Sequence, residues 1–183
     1  MPETQWQLLP PELNQDKTFQ DSLLTVHKEI YNNFFSDDPL ANPELGFHLH
    51  AYRRTSGWRV VLIVTPWMMS RLLFPEKDPH IVIPEGWSGE DRGESDYQVL
   101  GPSLRLGWSG NYMQAHLNYH PRLGHYLLQP IALNMQTYAT PEEAFEAWNC
   151  VIKARDESMK RMKKKCPWQE EVSRREFLGK YLT

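Results

Sequence analysis

Seven histidines give this chain its widest reach for chemistry, and their spacing limits what that chemistry could be. His48 and His50 stand two apart, so on a strand they would share one face. His116, His120 and His125 spread over a predicted strand and turn, and His80 stands elsewhere. A metal needs three or four converging ligands with carboxylate or carbonyl partners behind them. Spacing alone does not bring these histidines together, so a metal cluster and a set of solvent-facing or core-edge histidines stay open as alternatives. The cysteines, Cys150 and Cys166, form no C-x-x-C pair, which argues against a zinc ribbon or thioredoxin-like centre and suits a reducing cytoplasm. Cys150 falls on the apolar face of a predicted helix and reads as a small buried hydrophobe. G-x-S-x-G, P-loop, G-x-G-x-x-G and H-E-x-x-H motifs are all missing. The expectation is a protein without catalytic residues, resident metal or cofactor.

Three other segments could carry recognition. "TPWMMSRLLFP", Thr65 to Pro75, is rich in large apolar residues on both sides of any single periodicity. It reads either as a core-filling segment or as an apolar groove lined by Trp67, Met68, Met69, Leu72 and Phe74, where flexible methionine thioethers would adapt to a peptide. "MKRMKKKC" reads as a solvated helix end or as a contact for an acidic partner. "SRREFLGKYL", Ser173 to Leu182, has the form of a twin-arginine export signature, yet it stands where no apolar run follows it. The alternative for that tail is a short amphipathic helix, with Phe177 and Leu178 packed on the body and Arg174 and Arg175 solvated.

The elements that would hold these segments follow from composition and period. The chain has 183 residues, 40 % of them apolar, enough for one domain with a core. No run of about 18 apolar residues occurs, so no membrane span is expected. The amino-terminal "MPETQWQLLPPELNQD" lacks the basic and apolar regions of a secretory signal and, with its prolines, predicts a loose arm over 1–15. Phe19, Leu23, Val26, Ile30 and Phe34 recur at helical spacing. "FHLHAY" alternates with Phe47, Leu49 and Ala51 on one side, and "WRVVLIVT" is a β-branched strand at the centre of a sheet. Residues 85–96, with Glu90, Asp91, Glu94 and Asp96, predict an exposed acidic loop, followed by two further strands. Thr140, Pro141 and Glu143 make a capping box that opens a last helix. The fold class is therefore α+β: a two-layer sandwich, its antiparallel sheet flanked by an N-terminal and a C-terminal helix. One globular domain is expected over 16–166, with a tail over 167–183. From Lys153 onward ten basic residues face five acidic ones, leaving ten basic against eighteen acidic in the rest. With basic residues on the body scattered, nucleic-acid binding is not expected.

"GWRVVLIVTPWMMSRLLFP" resembles the signature of the NiFe-hydrogenase assembly chaperone family, HybE and its relative HoxT. The family shows a Gly-x-Trp strand running into Thr-Pro-Trp-Met and ending in Phe-Pro. The likeness extends through "GNYMQAHLNYHPRL" and the final helix to the tail at Arg174 to Leu178, so it covers Phe19 to Leu182. The paired cysteines of the rubredoxin fused to some relatives are missing. The resemblance implies a non-enzymatic cytoplasmic chaperone that binds the hydrogenase small-subunit precursor through its twin-arginine signal peptide until pairing with the large subunit, itself a further expected partner. Trp67, Met68, Met69, Leu72 and Phe74 would receive the apolar part of the signal. Arg174, Arg175, Phe177 and Leu178 would imitate the client and occupy the groove when it is empty. Two other functions are weighed beside it: a metal-handling accessory protein using the histidines, and a permanent adaptor subunit of a redox complex.

Overall fold

The computed structural model describes residues 5–108 and 111–165. It divides into two compact units, Met1–Ala144 and Phe145–Thr183, where the sequence predicted one globular domain over 16–166. The first unit contains six strands: β1 (His48–Thr55), β2 (Trp58–Val64), β3 (Met69–Pro75), β4 (Ser103–Trp108), β5 (Asn111–His120) and β6 (Gly124–Ala132). They form one antiparallel sheet in the order β1-β2-β3-β6-β5-β4. Helix α1 (Asp16–Ile30) precedes the sheet in the chain. A short helix α2 (Gly89–Gly93) lies within the β3–β4 connection, and α3 (Pro141–Lys165) follows the sheet. The class is α+β, as the sequence predicts.

Local chemistry sets the first hairpin. Ser56 and Gly57 both have positive φ, 51° and 78°, the backbone a tight two-residue turn needs to match the twist of β1 and β2. The expected alternation of β1 holds for Phe47 and Leu49 but fails at Ala51. That residue has φ 52°, sits at a break in register between His50 and Arg53, and is exposed. The bulge resets the parity, so Tyr52 takes the inward position and packs on Phe19 with ring centroids 5.9 Å apart.

Strand β3 lies in the interior of the sheet and is covered on both faces. Leu72 and Phe74 join Val61, Ile63 and Leu128 on one face, beneath Phe19, Leu23, Val26 and Ile30 of α1. Leu73 joins Val60, Leu117 and Leu127 on the other, where no long helix of this unit lies and coil must do the covering. Trp6, Ile81, Ile83 and Trp87 supply it. The amino-terminal arm is therefore docked from Trp6 onward, correcting the expectation of a loose segment over 1–15. Trp6 is buried, and Gln7 exchanges backbone hydrogen bonds with the start of β6: the His125 N–H donates to the Gln7 carbonyl at 2.8 Å, and the Gln7 N–H donates to His125 Nδ1 at 2.9 Å. The close approach requires glycine at 124, because a Cβ there would lie 2.4 Å from the Gln7 carbonyl oxygen and φ is +71°.

The connection over 76–102 starts on this coil-covered face with Ile81, Ile83 and Trp87. It ends against the opposite face, where Tyr97 and Val99 pack on the α1 side of the core. To change faces it passes the tip of the β5–β6 hairpin. His125 Nε2–H donates to the Trp87 carbonyl at 2.9 Å, which pins the passage.

At the end of the first unit α3 starts as the capping box predicts. The Glu143 N–H donates to Thr140 Oγ1 at 3.2 Å, and the Glu143 carboxylate accepts from the Ala139 N–H at 2.7 Å. Cys150, expected to be buried, is exposed, as are Val151 and Ile152. Among the described residues no helix is long and apolar enough to cross a membrane.

The docked arm makes a measurable claim. Trp6→Ala is expected to destabilise the protein by about 3–5 kcal/mol, as for other buried large-to-small truncations, in urea unfolding followed by circular dichroism. A loose arm would leave the midpoint unchanged.

Candidate functional site

The segment expected to form a surface groove is interior. Trp67 is 3 % exposed, Met69 1 %, and Met68, Leu72 and Phe74 0 %. This corrects the groove reading, since no partner reaches these side chains while the core is closed. Their local geometry explains the composition instead. Thr65 and Met68 close a two-residue connection between β2 and β3: the Thr65 N–H donates to the Met68 carbonyl at 2.9 Å, and the Met68 N–H donates to Thr65 Oγ1 at 3.1 Å. Pro66, which has no N–H to donate, sits in the turn, and its carbonyl accepts from the Asn42 N–H at 2.7 Å. Trp67 turns inward.

Four rings gather on that indole. Phe35 stacks on it at 4.9 Å and 4°, His27 at 5.9 Å and 16°, Tyr31 at 6.2 Å and 12°, and Phe47 meets it edgewise at 6.3 Å. His27, Tyr31 and Phe35 are spaced four apart along one side of the helical chain. The chain changes at the end of α1 from α-helix to a π-helical turn, Tyr31–Phe35. Such turns are rare and set the residues beyond them out of phase with the preceding helix. Phe35 takes the inward place that the α-helical period assigned to Phe34, and Phe34 is left 45 % exposed. The stacked ring is worth roughly 0.5–1.5 kcal/mol beyond the area it buries, a gain that favours the unusual turn.

Phe34 stands at the lip of a cleft of about 210 Å³ between the end of α1, the tip of the β5–β6 hairpin and the β3–β4 connection. Tyr97 lies 6.5 Å from Phe34 across the lip. The Tyr97 hydroxyl points inside, 3.3 Å from the Tyr126 hydroxyl, and burial pushes its pKa up to about 12, so it remains a neutral hydroxyl. Asn118 fixes this wall by donating to the carbonyls of Gln98 and Val99 at 2.9 and 3.1 Å. Glu29 also lines the cleft, and Arg122 Nη1 donates to both of its carboxylate oxygens at 2.8 Å. His120 is held below the usual histidine range by burial and then by Arg122, against Glu29, so the cleft presents a neutral imidazole near pH 7.

Beside the cleft, and sharing Ser95 with it, lies an open hollow lined by Glu90, Asp91 and Glu94. Ser88 caps α2, its hydroxyl accepting from the Asp91 N–H at 3.0 Å and donating to the Asp91 carboxylate at 2.6 Å. The nearby cation, Arg92, lines the cleft and is engaged over the Trp87 ring at 4.6 Å, donating to the Asp96 carbonyl. Among the described residues Glu90 and Glu94 have no basic partner. The acidic loop was legible as charge. Its anchoring by Trp87 and its junction with Phe34 and Tyr97 were not, since residues more than 50 positions apart meet there.

The histidines do not converge. His48 and His50 lie on β1, and His116 and His120 on β5, four strand steps away in the sheet order, or about 19 Å at ordinary strand spacing. His116 Nδ1 is 2.8 Å from the Gly101 carbonyl, and both nitrogens of His125 are hydrogen-bonded. No group of three metal-ligating side chains occurs among the described residues. Arg174, Arg175, Phe177 and Leu178, named as a client mimic, lie outside the described residues.

A family model described as NiFe-hydrogenase assembly, chaperone, HybE matches residues 18–180. The chain belongs to the HybE family of hydrogenase assembly chaperones. The chain is also similar to the solution structure of HybE from Escherichia coli, at 15 % identity over 67 % of each chain and a TM-score of 0.46. No curated protein matches it.

In this HybE-family chain the histidine that sequence spacing passed over, His27, is buried, as is His125. His27 is fully enclosed, its Nδ1–H donating to the Leu23 carbonyl at 2.8 Å while Nε2 has no partner. Burial lowers its pKa from 6.5 to about 4, assisted by His120 and opposed by the Leu23 carbonyl. Between those values the unfolded chain binds a proton that the folded one refuses. The associated stability is full above pH 6.5 and is lost as pH falls towards 4, a difference of about 3 kcal/mol at 1.36 kcal/mol per unit. Unfolding free energies measured at pH 7 and pH 4.5 are expected to differ less for His27→Phe than for the native chain. Equal pH slopes for the two proteins would contradict the assignment.

Proposed function

We propose that this chain is a non-enzymatic, cytoplasmic chaperone of NiFe-hydrogenase maturation that holds the small-subunit precursor by its twin-arginine signal peptide. The signal's arginines lie over the carboxylates of Glu90, Asp91 and Glu94, and the residues behind them enter the cleft at Phe34 and Tyr97. What carries this reading is the adjacency of an uncompensated acidic hollow to an aromatic-lipped cleft, joined at Ser95. A guanidinium pairs bidentately with a carboxylate, which would fix the register of an extended peptide. Neighbouring apolar side chains would then fall against the aromatic lip. A client held at a few exposed contacts is released when its proper partner competes, as holding until assembly requires.

Titration of the full-length chain with a hydrogenase small-subunit signal peptide tests this. The variant Glu90→Gln/Asp91→Asn/Glu94→Gln is expected to bind roughly tenfold more weakly, at about 0.5 kcal/mol per exposed ion pair, with the difference shrinking at high salt. Replacing both client arginines by lysine should weaken binding to the native chain as well. Unchanged affinity in both experiments removes the proposal.

A further inference from the structure

The buried tryptophan of the Thr-Pro-Trp-Met turn has no route to a client, yet Phe35, stacked upon it, adjoins two residues of the cleft, Phe34 in the chain and Tyr97 in space. Trp67 is buried at the turn between β2 and β3, and its ring lies within 16° of parallel to those of His27, Tyr31 and Phe35. Phe35 is the last residue of the π-helical turn, and Phe34, immediately before it, is the exposed ring at the cleft. In an uninterrupted α-helix Phe34 would continue the inward series Phe19, Leu23, Val26 and Ile30, a spacing of three or four residues. The phase change that seats Phe35 on the indole is therefore the same change that delivers Phe34 to the surface.

We propose that Trp67 is a positioning residue for client recognition: it holds the π-helical turn that aims Phe34 at the apolar side chain following the client's arginines. The inference rests on the cleft reading above and adds to it the residue that sets which side chain is read. Phe34 faces Tyr97 across the lip, and Tyr97 also meets Phe35 edge to face at 6.2 Å and 88°, so both walls are tied to the same stack. The two rings, 6.5 Å apart between centroids, form one adjoining aromatic surface at the lip, against which an apolar side chain packs more readily than a charged one. The occupant is a Phe or Leu side chain of an extended basic peptide, for which the acidic hollow beside the lip supplies the charge complement.

The test compares Phe34→Ala, Trp67→Phe and the double variant in the full-length chain, titrated with the small-subunit signal peptide. Unfolding curves run alongside establish that each variant is folded during titration. Each single change is expected to lower affinity by about five- to tenfold, with the double variant no weaker than Phe34→Ala, because both remove the same contact. A merely structural tryptophan would lower the unfolding midpoint and leave affinity of the folded protein untouched. If Phe34→Ala weakens binding while Trp67→Phe binds as the native chain does, the positioning role is overturned and the cleft reading stands. If the carboxylate variant weakens binding and Phe34→Ala does not, Phe34 is not the reader. If neither matters, the site itself is wrong and both proposals fall together. Should Trp67→Phe not fold, Phe35→Leu removes the other plane of the stack and is read by the same criteria.

Discussion

A strand inside an antiparallel sheet with apolar side chains on both faces must be covered twice, and β3 imposes that demand on this whole unit. Its residues alternate between two cores, Leu72 and Phe74 in one and Leu73 in the other. Helix α1 satisfies the first with one apolar stripe, as an amphipathic helix does cheaply. The second is met by irregular chain, and irregular chain brings unpaired backbone groups with it. Hence the specific hydrogen bonds of that layer: His125 uses both ring nitrogens to hold Gln7 and Trp87, and the Tyr119 hydroxyl donates to the Gln7 side chain at 2.9 Å. Large indole rings suit this task, because one ring covers the area that several aliphatic side chains of a helix would.

The cleft is a consequence of the same demand. A connection that covers one face and finishes on the other has to round the sheet, and it does so at the β5–β6 tip. There it leaves a gap against the end of α1, where Tyr119, His120 and Pro121 form the floor. Because the passage runs over the surface, the carboxylates of Glu90 and Glu94 stay solvated at little cost, with no basic partner among the described residues. The charge comes from the short helix α2 and its end, and one wall comes from the irregular chain after it. Asn118 holds that wall at the carbonyls of Gln98 and Val99, beside Tyr97.

What could be read from the sequence followed from period and capping. The inward residues of α1, the T-x-x-E start of α3 and the β-branched run of β2 are each dictated by neighbours within a few positions. Three features were not so dictated. The bulge at Ala51 and the π-helical turn at Tyr31–Phe35 each move one residue out of phase, and the cause of the second, Trp67, lies more than 30 positions away. The arm over 1–15 reads as loose because its prolines forbid a helix, but a proline-rich coil can dock wherever a tryptophan anchors it. The apolar run Thr65–Pro75 misleads for a simpler reason. An interior strand covered on both faces and a greasy surface groove demand the same composition, and only a three-dimensional neighbour such as Phe19 or Leu73's partners on β6 distinguishes them.

The division of labour that results bears on how such a chaperone chooses and releases its client. The Thr-Pro-Trp-Met turn marks membership of the family through the scaffold, since its hydrogen bonds and stacking are internal. On the reading proposed above, discrimination falls to the connection over 76–102 and the lip it meets, where Glu90, Glu94 and Phe34 are exposed. Exposed ion pairs contribute from near zero to about 1 kcal/mol each, and a single apolar side chain in a shallow cleft adds little more. A few such contacts in register amount to a few kcal/mol, which is weak, reversible binding far from the permanence of an obligate interface. An assembly chaperone is served by contacts of that kind, which hold a client before assembly and give way when the client folds with its own partner.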